Sequence, residues 1–361
     1  STMAFEEARA KVARLVGAST VEGEEEIVVT SGATAGLNLL ATAFGNASQG
    51  RGGEAARRFA VKSGDEIVVS KAEHHSVLLP FQELAARTGA TLKWFDLDDE
   101  GRILANTADE VITERTKIVA VTHVGNTTGA ITDIAPIVKR AHEVGAVVVL
   151  DACQSVPHLK IDLHALDVDF AAWSAHKMYG PTGVGFLYGK REMLEALPPA
   201  NFGGSMVELA WMDQEAQYMA PPARFEAGTH PVAQVVAAGV AAEWLMNIGM
   251  ENLEAHERVI AGELLKMGQI EGVRILGPHA NERRIGTVAF EIEGVHPHDV
   301  GQFIDAQGIA IRVGHHCAQP VHRHFGVYAS NRASSGIYNC VEDAQALVEA
   351  LKKVRPFFGV K

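Results

Sequence analysis

The sequence predicts an α/β fold, with a large, mostly parallel sheet clad in helices and a smaller α+β domain after it. Short β-branched runs alternate with helical ones through the first two-thirds of the chain, as expected of buried parallel strands joined by crossover helices. Most of these runs end in small or polar residues, where open α/β sheets bind their ligands. At 361 residues the chain is too long for one small core, so two lobes are expected. The pattern changes near Ala241, which puts a large domain at 1–243 and a small one at 244–361.

The elements follow in order. "EIVVTSG" ends before a helix that begins near Ala33, and "DEIVVSKAEHH" (65–75) leads into another. "GNASQGRGGEAARRF" (45–59), rich in Gly and Arg, reads as a surface excursion. "KIVAVTHVGN" (117–126), "AVVVLDACQ" (146–154) and "DFAAWSAHK" (169–177) repeat the strand pattern, with Ile134–Val144 among the intervening helices. In the second lobe a helical stretch from Ala241 to Gly268 precedes the strand-like "RIGTVAFEIEG" (284–294) and "GIAIRVGHH" (308–316). "VEDAQALVEALKKV" (341–354) closes the chain as a helix.

Composition narrows the function. Apolar residues are 47% and charged residues 21%, values of a folded globular protein. A net charge of −12 argues against nucleic acid, whose phosphates need a basic face. No apolar run approaches the roughly 20 residues of a membrane helix, and no secretory leader is evident. Cys153, Cys317 and Cys340 have neither disulfide-like nor metal-like spacing. The expected setting is a reducing cytoplasm, with no membrane, nucleic acid or metal.

Several residues stand where chemistry is expected. Lys177 follows the strand-like "DFAAWSA" and precedes "GPTGVG", a setting for an amine that condenses with an aldehyde cofactor. Asp151 ends an apolar strand, where a carboxylate is costly unless it meets a cation, although Asp is also a favoured helix cap. Gln154 lies three residues on and could bond a cofactor or face water. His74 and His75 follow another strand end; an imidazole there can stack on a ring or handle protons. "TSGATAG" (30–36) offers free N–H groups and the Thr34 hydroxyl before a helix, which suits a phosphate or a tight turn.

Taken together, "TSGATAG", "AEHHSVLLPF", "VTHVGNTTGAI", "LDACQS", "SAHKMYGPTGVGFLYG", "FEAGTHP", "GIAIRVGHHCAQP" and "NRASSGIYN" resemble the class V aminotransferase superfamily over nearly the whole chain. Within it the likeness is to cysteine desulfurases of the SufS and selenocysteine-lyase-like type. The resemblance implies a fold-type-I transferase, pyridoxal 5'-phosphate, a small amino-acid substrate, a homodimer with shared active sites and a sulfur-acceptor protein. It implies that Lys177 holds the cofactor covalently, Asp151 pairs with the ring nitrogen, Gln154 meets the phenolic oxygen and His74 stacks on the ring. Asn126 would lie near the phenolic oxygen and the substrate carboxylate. Ala33, Thr34, Ser174 and His176 would hold the phosphate, Thr229 would reach the phosphate of the neighbouring subunit, and Arg332 would grip the substrate carboxylate, for which a guanidinium fork is well shaped.

The same resemblance assigns the reactive cysteine to the residue before Arg-Ala-Ser, which here is Asn331. An amide cannot form a thiolate or carry a persulfide. On this reading Cys317 is a packed, inert thiol, Cys340 lies outside the motif, and Cys153 replaces a small residue beside Asp151. The family also has a further N-terminal segment near the substrate, and without it the mouth would be more open. The expected activity is removal of sulfur or selenium from L-cysteine or L-selenocysteine to give L-alanine. The alternatives are a C–S or C–Se β-lyase that needs no persulfide and a non-catalytic partner subunit.

Overall fold

The computed structural model describes residues 2–360. Its main sheet has seven strands: β1 (Ile27–Thr30), β2 (Glu66–Ser70), β3 (Thr91–Phe95), β4 (Thr116–Thr122), β5 (Val147–Asp151), β6 (Phe170–Ser174) and β7 (Gly185–Gly189), in the order β1-β7-β6-β5-β4-β2-β3. Strands β3, β2, β4, β5 and β6 pair in parallel, and β7 runs antiparallel to both β6 and β1. Adjacent residues on a strand face opposite ways. Val119, Val121, Val148, Leu150 and Trp173 enter one core, and Ile118, Ala120, Val147, Val149 and Phe170 enter the other. Both faces are therefore covered, which is why these strands read as unbroken apolar runs.

The N-terminal helix Thr2–Leu15 lies against the helix Val232–Ile248. A Cβ on Gly239 would stand 2.6 Å from that of Ala8, so only glycine allows this approach. Arg9 is buried beneath the helix, with Nη1 2.6 Å and Nη2 3.0 Å from the two Glu226 oxygens, and Val29 N–H donates to the same carboxylate at 2.6 Å.

The sequence-based boundary at 243/244 falls inside the helix Val232–Ile248. The chain turns at Gly249, whose φ is 88°, into the helix Met250–Leu265. Met250 and Leu253 still pack in a large-domain core, whereas Ile260 and Leu264 enter the small-domain core. One apolar stretch serves both lobes, so composition gives no sharp break.

A two-stranded hairpin, β8 (Val207–Leu209) and β9 (Gln217–Tyr218), separates the sheets in sequence. The small domain adds β10 (Val273–Leu276), β11 (Thr287–Ile292), β12 (Arg312–Gly314) and β13 (Ser330–Ser334), antiparallel in the order β10-β11-β13-β12. The segment around Asn331 is thus an inner strand. "SNRAS" lacks β-branched residues, and its partners, not its propensity, make it a strand. Among the described residues no single helix is long and apolar enough to cross a membrane.

Candidate active site

The expected residues gather where the parallel strands end. Asp151 closes β5, Ser174 closes β6, and Lys177 lies on the single 3-10 turn after β6. Thr122, at the end of β4, is the ladder partner of Asp151, and the next residue, His123, donates its N–H to Asp151 O at 3.0 Å. Asp151 is 6% exposed, and its Oδ1 accepts the Cys153 N–H at 2.9 Å. Gln154, partly buried, stands just before the short helix Ser155–His158 and makes no side-chain cap to it.

The loop after β1 meets the same edge. Gly32 has φ 151°, and a Cβ on Gly185 would lie 2.5 Å from Gly32 Cα. Two glycines therefore let the turn press against β7. Ala33 N–H donates to Ser174 Oγ at 2.9 Å, and the helix Ala33–Ser48 begins with no side-chain cap. Its first-turn N–H groups and its dipole suit an anion. Thr34 Oγ1 is 2.7 Å from Ser76 Oγ, and His176 is exposed nearby in sequence to Lys177.

His74 precedes the helix His75–Thr88, and its Nδ1 accepts the Ser76 N–H at 3.1 Å. That bond fixes the proton of a neutral ring on Nε2. Burial pushes the imidazole down to about 4, Asp151 opposes this and Lys177 adds to it. Cys153 feels the same pair: burial first, then Asp151, push its thiol up to about 12, against the opposing charge of Lys177. Lys177 and Asp151 therefore act on one site, and Cys153 is a protonated, unreactive neighbour.

Glu73, not anticipated from the sequence, is fully buried on the turn after β2. Its Oε1 accepts Thr122 N–H at 3.0 Å and meets Ser70 Oγ, while Oε2 has no partner. Burial above all, with the Asp151 charge, raises its carboxyl to about 8 against the hydrogen bonds from Ser70 and Thr122.

The small domain closes the site from the other side. Arg332 Nη1 donates to Asn126 O at 3.0 Å, and Asn126 Nδ2 donates to His316 O at 2.7 Å. Arg312, the ladder partner of Arg332, places Nη2 3.9 Å from Cys317 Sγ. Cys317 is partly exposed and lines a cavity of about 480 Å³ with Thr34, His74, His75 and Ser76. A larger cavity of about 660 Å³, lined by His158, Glu257 and Arg284, holds none of the expected residues.

Two sequence readings change. Asn331 is fully buried and shares a strand face with Ala333, in the small-domain core, where its Oδ1 lies about 4.0 Å from a Cβ built on Gly301. Arg332 alternates to the opposite face, toward Asn126. A cysteine at 331 would point into that core and away from the cleft. Cys317, expected to be packed and inert, opens into the cleft instead. Thr229 is exposed before the helix Val232–Ile248, and no hydrogen bond joins it to these residues among those described. Arg312 was missed because its strand is short and its side chain gains a role only beside Arg332.

The residues fit pyridoxal phosphate. Among the described residues Asp151 has no ion-pair partner, so a protonated ring nitrogen would supply the cation that a buried carboxylate needs. An uncapped helix start and the Ser174 and Thr34 hydroxyls suit the phosphate. Among the described residues no cluster of His, Cys, Asp or Glu could hold a metal.

Fold and site together define a class, the fold-type-I enzymes that depend on pyridoxal phosphate. Within that class the chain belongs to the aminotransferase class-V family, whose model matches residues 1–347. It is 46% identical over 361 residues to a probable cysteine desulfurase 2 of Mycobacterium leprae (strain TN), covering 99% of this chain and 83% of that one. A probable cysteine desulfurase of Streptomyces coelicolor is 44% identical over 360 residues, with coverage of 99% and 83%. Among solved structures, the cysteine desulfurase CsdA (S-sulfonic acid) of Escherichia coli superposes with a TM-score of 0.89 at 35% identity, covering 99% of this chain and 84% of that one. The apo cysteine desulfurase of Thermococcus onnurineus NA1 gives 0.90 at 34%, covering 98% and 84%.

Proposed function

We propose that the enzyme removes sulfur from L-cysteine, or selenium from L-selenocysteine, to give L-alanine, with Cys317 as the acceptor. The observation that carries this reading is the partly exposed Cys317 thiol, in the His74 cavity and 3.9 Å from Arg312 Nη2. Bound pyridoxal phosphate supplies an electron sink for chemistry at the amino acid.

Lys177 would hold the cofactor and move a proton at Nζ. Asp151 would hold the ring nitrogen, Gln154 and Asn126 the phenolic oxygen, and neutral His74 the ring face. Ala33, Thr34, Ser174 and His176 would bind the phosphate. Arg332, with Arg312 beside it, would bind the substrate carboxylate. The Cys317 thiolate attacks the substrate sulfur and the C–S bond breaks. Sulfur leaves on Cys317 as a persulfide, the bonding pair stays with carbon, and a proton completes alanine.

Exposed Phe202, Leu209, Trp211, Met212 and Met219 cluster around the β8–β9 hairpin. Apolar exposure on this scale favours a protein interface, in keeping with a homodimer in which Thr229 serves the neighbouring phosphate. A partly exposed persulfide could pass sulfur to an acceptor protein, and free thiols suit a reducing cytoplasm.

The test supplies L-cysteine to wild type, Lys177→Ala and Cys317→Ala. Wild type should yield alanine and a persulfide on Cys317 by mass spectrometry, Lys177→Ala should lose the visible cofactor band, and Cys317→Ala should form no persulfide. Sulfur release from Cys317→Ala at the parental rate would refute the reading, and pyruvate in place of alanine would point to a β-lyase. A parallel arm with L-selenocysteine separates the two substrates.

A further inference from the structure

The cysteine loop is bent in an unusual way. His316 and Cys317, both with a Cβ, have φ of 53° and 56°, a region that is costly for such residues and marks functional sites. Three backbone groups are clamped: Asn126 Nδ2 donates to His316 O at 2.7 Å, His75 N to Cys317 O at 2.8 Å, and Ala318 N to His315 O at 2.9 Å.

Behind the loop lies a buried polar chain. His316 Nε2 is 3.0 Å from Ser330 Oγ, His322 Nε2 is 2.9 Å from the same oxygen, and His322 Nδ1 is 3.0 Å from Ala318 O. Exposure is 2% for each histidine and 0% for Ser330. With both rings neutral, one proton arrangement satisfies every bond. His322 Nδ1–H donates to Ala318 O, which leaves Nε2 to accept from the Ser330 hydroxyl. Ser330 Oγ in turn accepts from His316 Nε2–H. His316 Nδ1 keeps its lone pair, buried and without a partner. Chain and loop thus close a ring, held at Ala318 on one side of Cys317 and at His316 on the other.

We infer that His316, Ser330 and His322 are positioning residues, which hold the left-handed pair so that the Cys317 thiol faces the cleft beside Arg312. The inference rests on Cys317 being the sulfur acceptor. Burial supports the neutral rings, pushing His316 down to about 3, with Arg332 adding to it, and pushing His322 below its ordinary value. Serine at 330 is one of the few side chains able to give and accept a hydrogen bond at once in so small a space.

The test uses Ser330→Ala in the holoenzyme, with Ser330→Thr retaining the hydroxyl. Without the hydroxyl the bend relaxes and sulfur moves away from Arg312, and a thiol beside a fixed positive charge is the more reactive one. Alkylation of Cys317 by iodoacetamide, measured against exposed Cys340 in the same molecule, should fall at least fivefold. Single-turnover persulfide formation should fall at least tenfold, with the cofactor band unchanged, and Ser330→Thr should restore both to within twofold. Values for Ser330→Ala within twofold of the parent would overturn the inference. Should that variant not fold, histidine-selective ¹⁵N NMR of the unmodified holoenzyme between pH 6 and 8 decides. The proton must sit on Nδ1 of His322 and Nε2 of His316, and an imidazolium or the opposite tautomer at either overturns it. Loss of the Cys317 reading registers separately, as full sulfur release by Cys317→Ala, while the alkylation ratio and the tautomers still judge the chain.

Discussion

Glu73→Gln should make the protein more stable, and increasingly so as the pH rises. The Glu73 carboxyl titrates at about 8 in the fold against 4.5 in an unstructured chain. Between those values the unfolded chain releases a proton that the native state keeps, so the unfolded state gains. Stability from Glu73 is therefore complete at acid pH and declines as the pH rises toward about 8. Each pH step is worth about 1.4 kcal/mol, so at pH 7 the wild type forgoes roughly 3 kcal/mol that an amide does not. Glutamine retains the Oε1 that accepts from Thr122 and Ser70 and puts an NH₂ where Oε2 has no partner. Denaturant midpoints for both proteins at pH 5, 6, 7 and 8 measure the difference. It should be small at pH 5 and favour the variant by about 3 kcal/mol at pH 7. If the variant instead loses stability as the pH rises, Glu73 is ionised in the fold and the reasoning fails.

Other outcomes follow from the same geometry. Glu226→Gln should cost about 3 kcal/mol, the low end for a broken buried pair, because Arg9 loses its buried counter-charge but keeps the half-exposed Glu6 and Ile27 O. Burial pushes the Glu226 carboxyl up, but bonds from His230, Arg9 and Val29 outweigh it and hold it low. Its stability is thus present at neutral pH and lost as acid protonates it, so the variant's deficit should shrink in acid denaturation. Gly185→Ala should weaken pyridoxal phosphate binding at least tenfold in absorbance titrations, because its Cβ meets backbone at Gly32 Cα; unchanged affinity would dissociate that close approach from the phosphate loop. Asn331→Cys should neither react with iodoacetamide in the native state nor raise persulfide yield, since that side chain faces the small-domain core.

The large sheet and its ligand edge were legible because parallel strands buried on both faces leave apolar runs with polar ends. Asp151, Lys177 and His74 stand out as candidates by their places after such runs, whereas Ser174 enters only through the family likeness. Glu73 was hidden beside His74, since nothing in "AEHH" indicates that its carboxyl is buried with one oxygen unpartnered. Arg312 and Arg332 lie 20 residues apart in sequence and become neighbours only through pairing of β12 with β13.

By itself, the sequence determined the fold class and the family likeness, and it singled out Lys177 and Asp151 as candidates, because each depends on local pattern and order. Tertiary structure decided which side chains face the cleft. On β13 a single residue step separates Asn331 in the core from Arg332 at the site, since strand side chains alternate. A polar strand gives no hydrophobic signal of its register, so only its pairing with β11 and β12 turns Asn331 away from the cleft and Arg332 toward it, beside Arg312 and Cys317.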